Sequence, residues 1–399
     1  MSTPPADSPP LPGRLTSVDV YRGFVMLLLL AESLRSCEVA DALPGSVFWA
    51  FFCHHQSHVP WVGASLHDLI QPSFSFLVGV ALAFSAGSRT AAGQPRSRLL
   101  RHALWRAVVL VFLGIWLRSV GRPQTYFTFE DTLTQIGLGY VFLVLLALRP
   151  RRDQWLALAC ILAGYGAAFA WYPRPSAEFD YAAVGVPADW PHHLSGFAAH
   201  WNKNSNLAWA FDVWFLNLFP RERPFAFNGG GYATLSFIPT LGTMILGLLA
   251  GGILRRDQPP RARLRWLALA GLAGIGSGWL LGAAGLCPIV KRIWTPSFTL
   301  WSGGVCLLFL AGAYALVDVY GHRRWAFPVV VIGMNSIAAY CLYELTARFI
   351  GASLRTHLGD ATFRVAGDPY LPFVQGLAVV LVMWLILFWM YRKRIFLRI

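Results

Sequence analysis

The chain has 399 residues, of which 56% are hydrophobic, 15% aromatic and only 13% charged, with a net charge of +14. Such a composition excludes an ordinary water-soluble domain, and the basic excess invites a nucleic-acid reading only until its distribution is traced. With the N-terminus placed in the cytoplasm, the connections on that side hold 21 of the 33 Lys and Arg but 5 of the 19 acidic residues. This is the positive-inside asymmetry of a membrane protein, and nucleic acid is not an expected partner.

Apolar stretches of the ~20 residues needed to cross a bilayer read as about ten spans: 18–36, 66–87, 103–120, 133–149, 154–172, 233–254, 264–285, 297–317, 326–349 and 372–391. The expected fold is an all-α polytopic membrane protein with both termini cytoplasmic. It divides into a Pro-rich, polar, disordered tail over residues 1–16 and a single transmembrane domain over 17–399. The tail lacks the basic start, apolar run and small-residue cleavage site of a signal peptide.

Helix 1 begins with Ser17 as its expected cap, with Asp19 in the first turn and Arg22 three residues on. Glu32 falls towards its outer end, where a carboxylate requires a partner or water. Cys37 and Cys53 follow in one outward loop and are free to pair in an oxidising compartment. The six cysteines are otherwise scattered without a CxxC motif, so no metal site is expected.

Residues 54–79 form the most unusual stretch, HHQSHVPWVGASLHDLIQPSFSFLVG. Four imidazoles, a carboxylate and a proline stand at the mouth of an apolar helix, and an ionisable group inside such a helix marks a functional site. Asp68 is expected about one turn inside the bilayer. Pro72 is expected to free the carbonyl of residue 68, because its ring clashes four residues back. His54 and His55 read equally well as solvated cap residues.

The next connection carries five arginines from Arg89 to Arg106. These suit anionic lipid headgroups or the phosphates of a nucleotide donor, and the residues alone do not choose. Gln135 then lies inside an apolar span, where its amide must be bonded.

The segment 173–232 is read as outside and contains PADWPHHLSGFAAHWNKNSNLAWAF. Its aromatic faces and amides suit a sugar acceptor, with Trp61, Trp201 and Asn202 as candidate contacts. They suit an interfacial amphipathic helix as well. NGGGY at 228–232 reads as a tight turn, and Thr295–Pro296 as a helix start. Lys291 places a positive charge on the outer surface against the general rule. Asn335, Ser336 and Glu344 are polar groups within one apolar span; Ser336 and Glu344 share a helix face, expected to line a donor or transfer path.

Six blocks in order, SVDVYRGF at 17–24, HVPWVGASLHDLIQPSFSFLVG at 58–79, LTQIGLGY at 133–140, YATLSFIPTLGTMILGLLAG at 232–251, PIVKRIWTPSF at 288–298 and GMNSI at 333–337, resemble the heparan-α-glucosaminide N-acetyltransferase family and its bacterial relatives. The resemblance implies a helical bundle in a bacterial inner membrane. It implies acetyl-CoA as co-substrate on the cytoplasmic side, and an amino sugar or glycan as acceptor on the other side. It makes His58, before the Pro-Trp pair, the catalytic histidine and matches Asp68 to the family aspartate. Glu32–Ser33 and NGGGY depart from the family pattern, both on the acceptor side. Glu32, Trp61, Trp201, Asn202 and Lys291 are the candidate acceptor contacts. Gln135, Asn335, Ser336 and Glu344 are the candidate donor or transfer-path residues. Two chemistries stay open, His58 as a base oriented by Asp68 or as an acyl carrier. An O-acetyltransferase of envelope polysaccharide and a small-molecule transporter are the competing readings. Membrane lipid is the expected surroundings, and monomer and homodimer are both open.

Overall fold

The structure is a computed structural model that describes residues 15–91 and 93–397. The expected disordered tail lies almost entirely outside the described residues.

Among these the fold is all-α. In chain order the helices are α1 (Thr16–Leu30), α2 (Ser36–Ala42), α3 (Val47–His55), α4 (Ile70–Ala91), α5 (Arg96–Ser119), α6 (Thr132–Ala147), α7 (Arg151–Trp171), α8 (Leu207–Phe215), α9 (Phe237–Leu254), α10 (Pro260–Ala283), α11 (Pro296–Ala313), α12 (Phe327–Gly333), α13 (Ser336–Leu358), α14 (Asp360–Phe363) and α15 (Leu371–Arg392). Seven helices among the described residues are long and apolar enough to cross a membrane, and eight if α12 and α13, bent by 67° at their junction, count as one span.

Three local expectations are corrected. The first span does not run unbroken to residue 36: α1 ends at Leu30, a 3-10 turn carries Ala31–Leu34, and Arg35 adopts φ 53° before α2 turns away. Its cap is Leu15 rather than Ser17, whose backbone N–H instead donates to Asp318 at 3.1 Å. Pro72 does not interrupt a helix either, because α4 starts only at Ile70. A proline in a first turn removes a donor that has no intrahelical acceptor there.

The centre of the bundle is α9, whose side chains are almost all buried. It packs beside α4 through a reciprocal glycine contact: a Cβ on Gly79 would overlap the Met244 carbonyl, and one on Gly247 the Phe76 carbonyl. Small residues that let two membrane helices approach this closely give extensive backbone packing in place of a hydrophobic driving force. Since α4 and α9 meet in the same direction, the starts of both lie at one end of the molecule. The polypeptide just before α4 and the long segment leading into α9 therefore converge there.

A second, smaller core closes that end. Trp61, Phe169, Trp201, Val290 and Ile293 are buried together, with the rings of Phe169 and Trp201 stacked at 4.5 Å. This aromatic cluster joins the loop before α4, the end of α7, the segment before α8 and the loop between α10 and α11.

Candidate functional site

The loop 56–66 is held in place before its functional side chain is considered. Trp61 is fully buried and donates its indole N–H to the Trp201 carbonyl at 3.1 Å. Gly63 N–H donates to the Ile289 carbonyl at 2.8 Å, and Val62 and Gly63 form isolated bridges with Val290. Arg292 donates to the carbonyls of Val59 at 3.2 Å and Gly230 at 2.9 Å. The loop between α10 and α11 is thereby fastened across the histidine loop, which brings Lys291 to it.

At the centre is Asp68, in the 3-10 turn His67–Leu69 that opens α4. Its carboxylate accepts from the backbone N–H groups of Val59 at 3.2 Å and Ser65 at 3.0 Å, and from the Ser65 hydroxyl at 3.2 Å. His58 Nδ1 lies 2.7 Å from Asp68 Oδ1. The side chain of Asp68 is 1% exposed and that of His58 33%, so an inaccessible carboxylate holds an accessible imidazole.

Lys291 Nζ stands 3.2 Å from His58 Nδ1 and 3.5 Å from Asp68 Oδ1. Nδ1 cannot donate to Asp68 and accept from Lys291 at once. The shorter, charge-assisted contact assigns the Nδ1 proton to the Asp68 bond, and the ammonium pairs with the carboxylate. That tautomer leaves the Nε2 lone pair as the basic and nucleophilic position. Burial, reinforced by the Lys291 and Arg292 cations and opposed by Asp68, holds the His58 imidazolium below its ordinary range. Burial, again with Arg292 adding and Asp68 opposing, pulls the Lys291 ammonium down to about 8.

His67 continues the cluster. Its ring meets that of His58 edge-on with centroids 4.3 Å apart. Its Nε2 lies 3.4 Å from Glu32 Oε1, and Glu32 accepts from the Tyr343 hydroxyl at 2.8 Å. Tyr232 covers the other side, its ring 6.2 Å from that of His58, 5.7 Å from Lys291 Nζ and 4.9 Å from the Arg292 guanidinium carbon. The NGGGY turn positions it: Gly231 N–H donates to the Asn228 carbonyl at 2.9 Å with φ 78°, and a Cβ there would press on Trp61. Asn228 in turn donates to Glu130 at 2.7 Å, whose carboxyl burial raises to about 7.

The structure thus brings together His58, Asp68, Lys291 and Glu32. It does not bring the other named residues to them as free groups. Trp201 donates to the Leu286 carbonyl at 3.1 Å, and Asn202 bonds Leu194 through both ends of its amide, at 2.8 and 3.0 Å. With Trp61, these side chains hold the loops at this end together. Lys291 also differs from its expected place, because its ammonium is buried against Asp68 rather than presented at the surface. Gln135 donates to the carbonyls of Phe129 at 2.7 Å and Thr234 at 3.2 Å.

The span read over 326–349 shows the largest difference. Asn335 sits at the 67° break, where its amide donates to the Ile395 carbonyl at 2.7 Å and accepts from Leu397 N–H at 2.9 Å. Ser336 begins α13, and Glu344 is exposed on its surface. Asn335 thus clasps Ile395 and Leu397 at the break, while Glu344 lies farther along α13.

At the other end of α4 a cavity of about 390 Å³ is lined by Ala83, Ala86, Gly87, Arg151, Gln154 and Arg255, among others. The two guanidinium groups also reach backbone carbonyls, Arg151 that of Leu249 at 3.2 Å and Arg255 that of Ala83 at 2.7 Å. By the 1.5 Å rise per residue, Gly87 lies roughly 28 Å along the helix from Asp68. Cys37 and Cys53 are joined by a disulfide that ties α2 to α3, directly before the histidine stretch. No group of three His, Cys, Asp or Glu among the described residues has a metal-holding arrangement.

Comparison with curated proteins gives two long matches. Human heparan-alpha-glucosaminide N-acetyltransferase is 24% identical over 374 residues, covering 84% of this chain and 53% of the human protein. The mouse enzyme of the same name is 22% identical over 383 residues, covering 84% and 54%. The chain is a distant relative of these enzymes. It spans about half the length of the curated relatives it matches. No family model matches.

Sequence reasoning did not single out Tyr232 or Glu130 as site residues, and it placed His67 on the key stretch without assigning it a partner. The signal for Tyr232 was its place at the head of YATLSFIPT, directly after the glycine turn; Glu130 precedes the helix cap Asp131, which accepts from Leu133 N–H at 2.7 Å.

Proposed function

We propose that the protein is a transmembrane acetyltransferase that takes the acetyl group of cytoplasmic acetyl-CoA and passes it to the amine of an amino sugar or glycan on the opposite side. The single observation that carries this reading is the buried Asp68 holding the accessible His58 through Nδ1 at 2.7 Å, a pairing that leaves Nε2 as the reactive position. The distant relationship supplies the reaction class, and the charge distribution supplies the sidedness. Both termini and the 88–106 connection lie in the cytoplasm, residues 38–62 and 173–232 outside, and about ten spans connect them. The arginine-lined cavity at the far end of α4 is suited to the phosphates of the donor.

Two sequences of steps suit the site. In the first, Nε2 takes a proton from the acceptor's ammonium, the free amine attacks the thioester carbonyl, coenzyme A leaves as a thiolate, and the extra proton left on the new amide nitrogen passes to that thiolate. In the second, Nε2 attacks the thioester and coenzyme A departs. The amine then attacks the acetyl-imidazole, expels the neutral ring and loses its extra proton. In both, Asp68 fixes the tautomer and opposes the positive charge that develops on the ring. His67, Glu32 and Tyr232 border the volume beside Nε2, where the acceptor has to stand.

The test is purified protein with acetyl-CoA and either glucosamine or glucose, with products resolved by mass spectrometry. An N-acetylated amino sugar is expected. Acetyl esters on glucose would replace this reading by O-acetylation, and sugar uptake by proteoliposomes without any acetylated product would replace it by transport.

A further inference from the structure

Lys291 reaches the site from a loop 233 residues from His58, and the chemistry above assigns it no step. Its side chain is 6% exposed. Burying an ammonium is unfavourable unless it is paired, so the geometry of its pairing indicates its use. The groups facing it are Asp68, His58, the neighbouring Arg292, the ring of Tyr232 and, farther off, Glu32. Asp68 is the carboxylate it touches.

We propose that Lys291 is a positioning residue that neutralises Asp68 and so keeps His58 in its neutral, Nδ1-protonated form. The role rests on the reading of His58 as base or acyl carrier. An ionised carboxylate in a poorly solvated site draws a proton to the nearest base. With Lys291 absent, that base is His58, 2.7 Å away. The imidazolium so formed has N–H groups at both nitrogens, and neither a base nor a nucleophile remains. With Lys291 present, Asp68 keeps one hydrogen bond from Nδ1 while the ammonium carries the compensating charge. Arg292 adds a second cation, but its guanidinium is engaged with the carbonyls of Val59 and Gly230 and does not replace the contact to Asp68. His67, against the His58 ring, brings no negative charge of its own, and Glu32 is met on the His67 side.

Diethyl pyrocarbonate reacts with neutral imidazole, so carbethoxylation of His58 followed by peptide mass spectrometry across about pH 5 to 9, the range in which histidine changes charge, reads its titration directly. In the full-length wild-type protein the midpoint is expected below 6.5. Lys291→Met and Lys291→Gln, two charge-removing variants of different polarity, should each raise it by about one pH unit or more, the effect of one nearby charge. Lys291→Arg should hold it near the wild-type value. In transfer assays the acid limb of kcat should move the same way, with KM for the amino sugar little changed. A midpoint that stays put in a folded Met or Gln variant overturns the inference, as does a rise in acceptor KM without a shift in the acid limb, which would make Lys291 an acceptor contact. Because the modification needs no acetyl transfer, an inactive wild-type protein with the expected titration shifts would refute the proposed reaction while leaving the role of Lys291 standing.

Discussion

The two ends of the α1–α4–α9 bundle treat buried polar side chains in opposite ways. At the end that holds Asn335, the amide is closed on backbone groups of Ile395 and Leu397, and nothing is left over. At the end that holds His58, charged and titratable groups are joined in a chain from Lys291 through Asp68 to His58, with His67 and Glu32 beside it, and the chain ends on an imidazole held by Asp68 through Nδ1 alone. What distinguishes Asn335 from His58 is that the amide is closed on main-chain groups while the imidazole is held at one nitrogen by a buried carboxylate. Gln135 and Asn202 lie at the histidine end yet follow the Asn335 pattern, because their amides are closed on main-chain groups.

The comparison is broken most readily at His58. His58→Ala should lower the acetyl-transfer rate by ~10² or more, the usual contribution of a positioned acid–base group, with coenzyme A binding retained in a calorimetric titration. His54→Ala, on the same stretch but outside the charge chain, should leave the rate close to wild type. Comparable losses in both variants would mean that the stretch acts through its fold and not through one imidazole.

The pH dependence sharpens the same point. In the proposed reaction His58 has to be neutral, and its proton is lost below the ordinary 6.5 because burial and two cations disfavour the charged ring. The rate should therefore rise with pH and level off before neutrality. It should change again as Lys291 loses its proton near pH 8, since Asp68 then loses its counter-charge and holds the His58 proton more strongly. A kcat profile flat from acid to alkaline pH would contradict this.

A smaller effect is expected at the closed amides. Asn335→Leu should lower thermal stability modestly, membrane hydrogen bonds being worth ~0.6 kcal/mol on average, while turnover per folded molecule is retained. Loss of turnover in a stably folded Asn335→Leu protein would put Asn335 on the transfer path that the sequence suggested.

The pairing of His58 with Asp68 was legible because it is local. Ten residues separate them, a Pro-Trp pair anchors the loop between, and a carboxylate at the mouth of an apolar helix requires a partner. The all-α class was equally legible from apolar length. Lys291 was noticed as a positive charge on the wrong side and a candidate acceptor contact, but its pairing with Asp68 was not legible, since it depends on the α10–α11 loop folding across the α4 loop, a contact with no periodic signal. The break at Asn335 was hidden for the opposite reason: hydropathy over 326–349 is continuous, and the bend follows from the backbone turning at residues 334–335 so that the amide can reach the chain's last residues. Glu32 was singled out correctly as a carboxylate in need of a partner, but the partners, His67 and Tyr343, lie on other helices. Trp61 and Trp201 resemble sugar-binding surface in composition and are in fact buried against each other's loops, which composition cannot distinguish.

The central claim, transfer across the bilayer through His58, is tested most directly in sealed proteoliposomes of known orientation, with labelled acetyl-CoA confined to the cytoplasmic face and glucosamine confined to the other. Labelled N-acetylglucosamine should accumulate only in the acceptor compartment, and the signal should fall to the protein-free level with His58→Ala. Product formed only when donor and acceptor share a compartment, or an undiminished signal from His58→Ala, would contradict it.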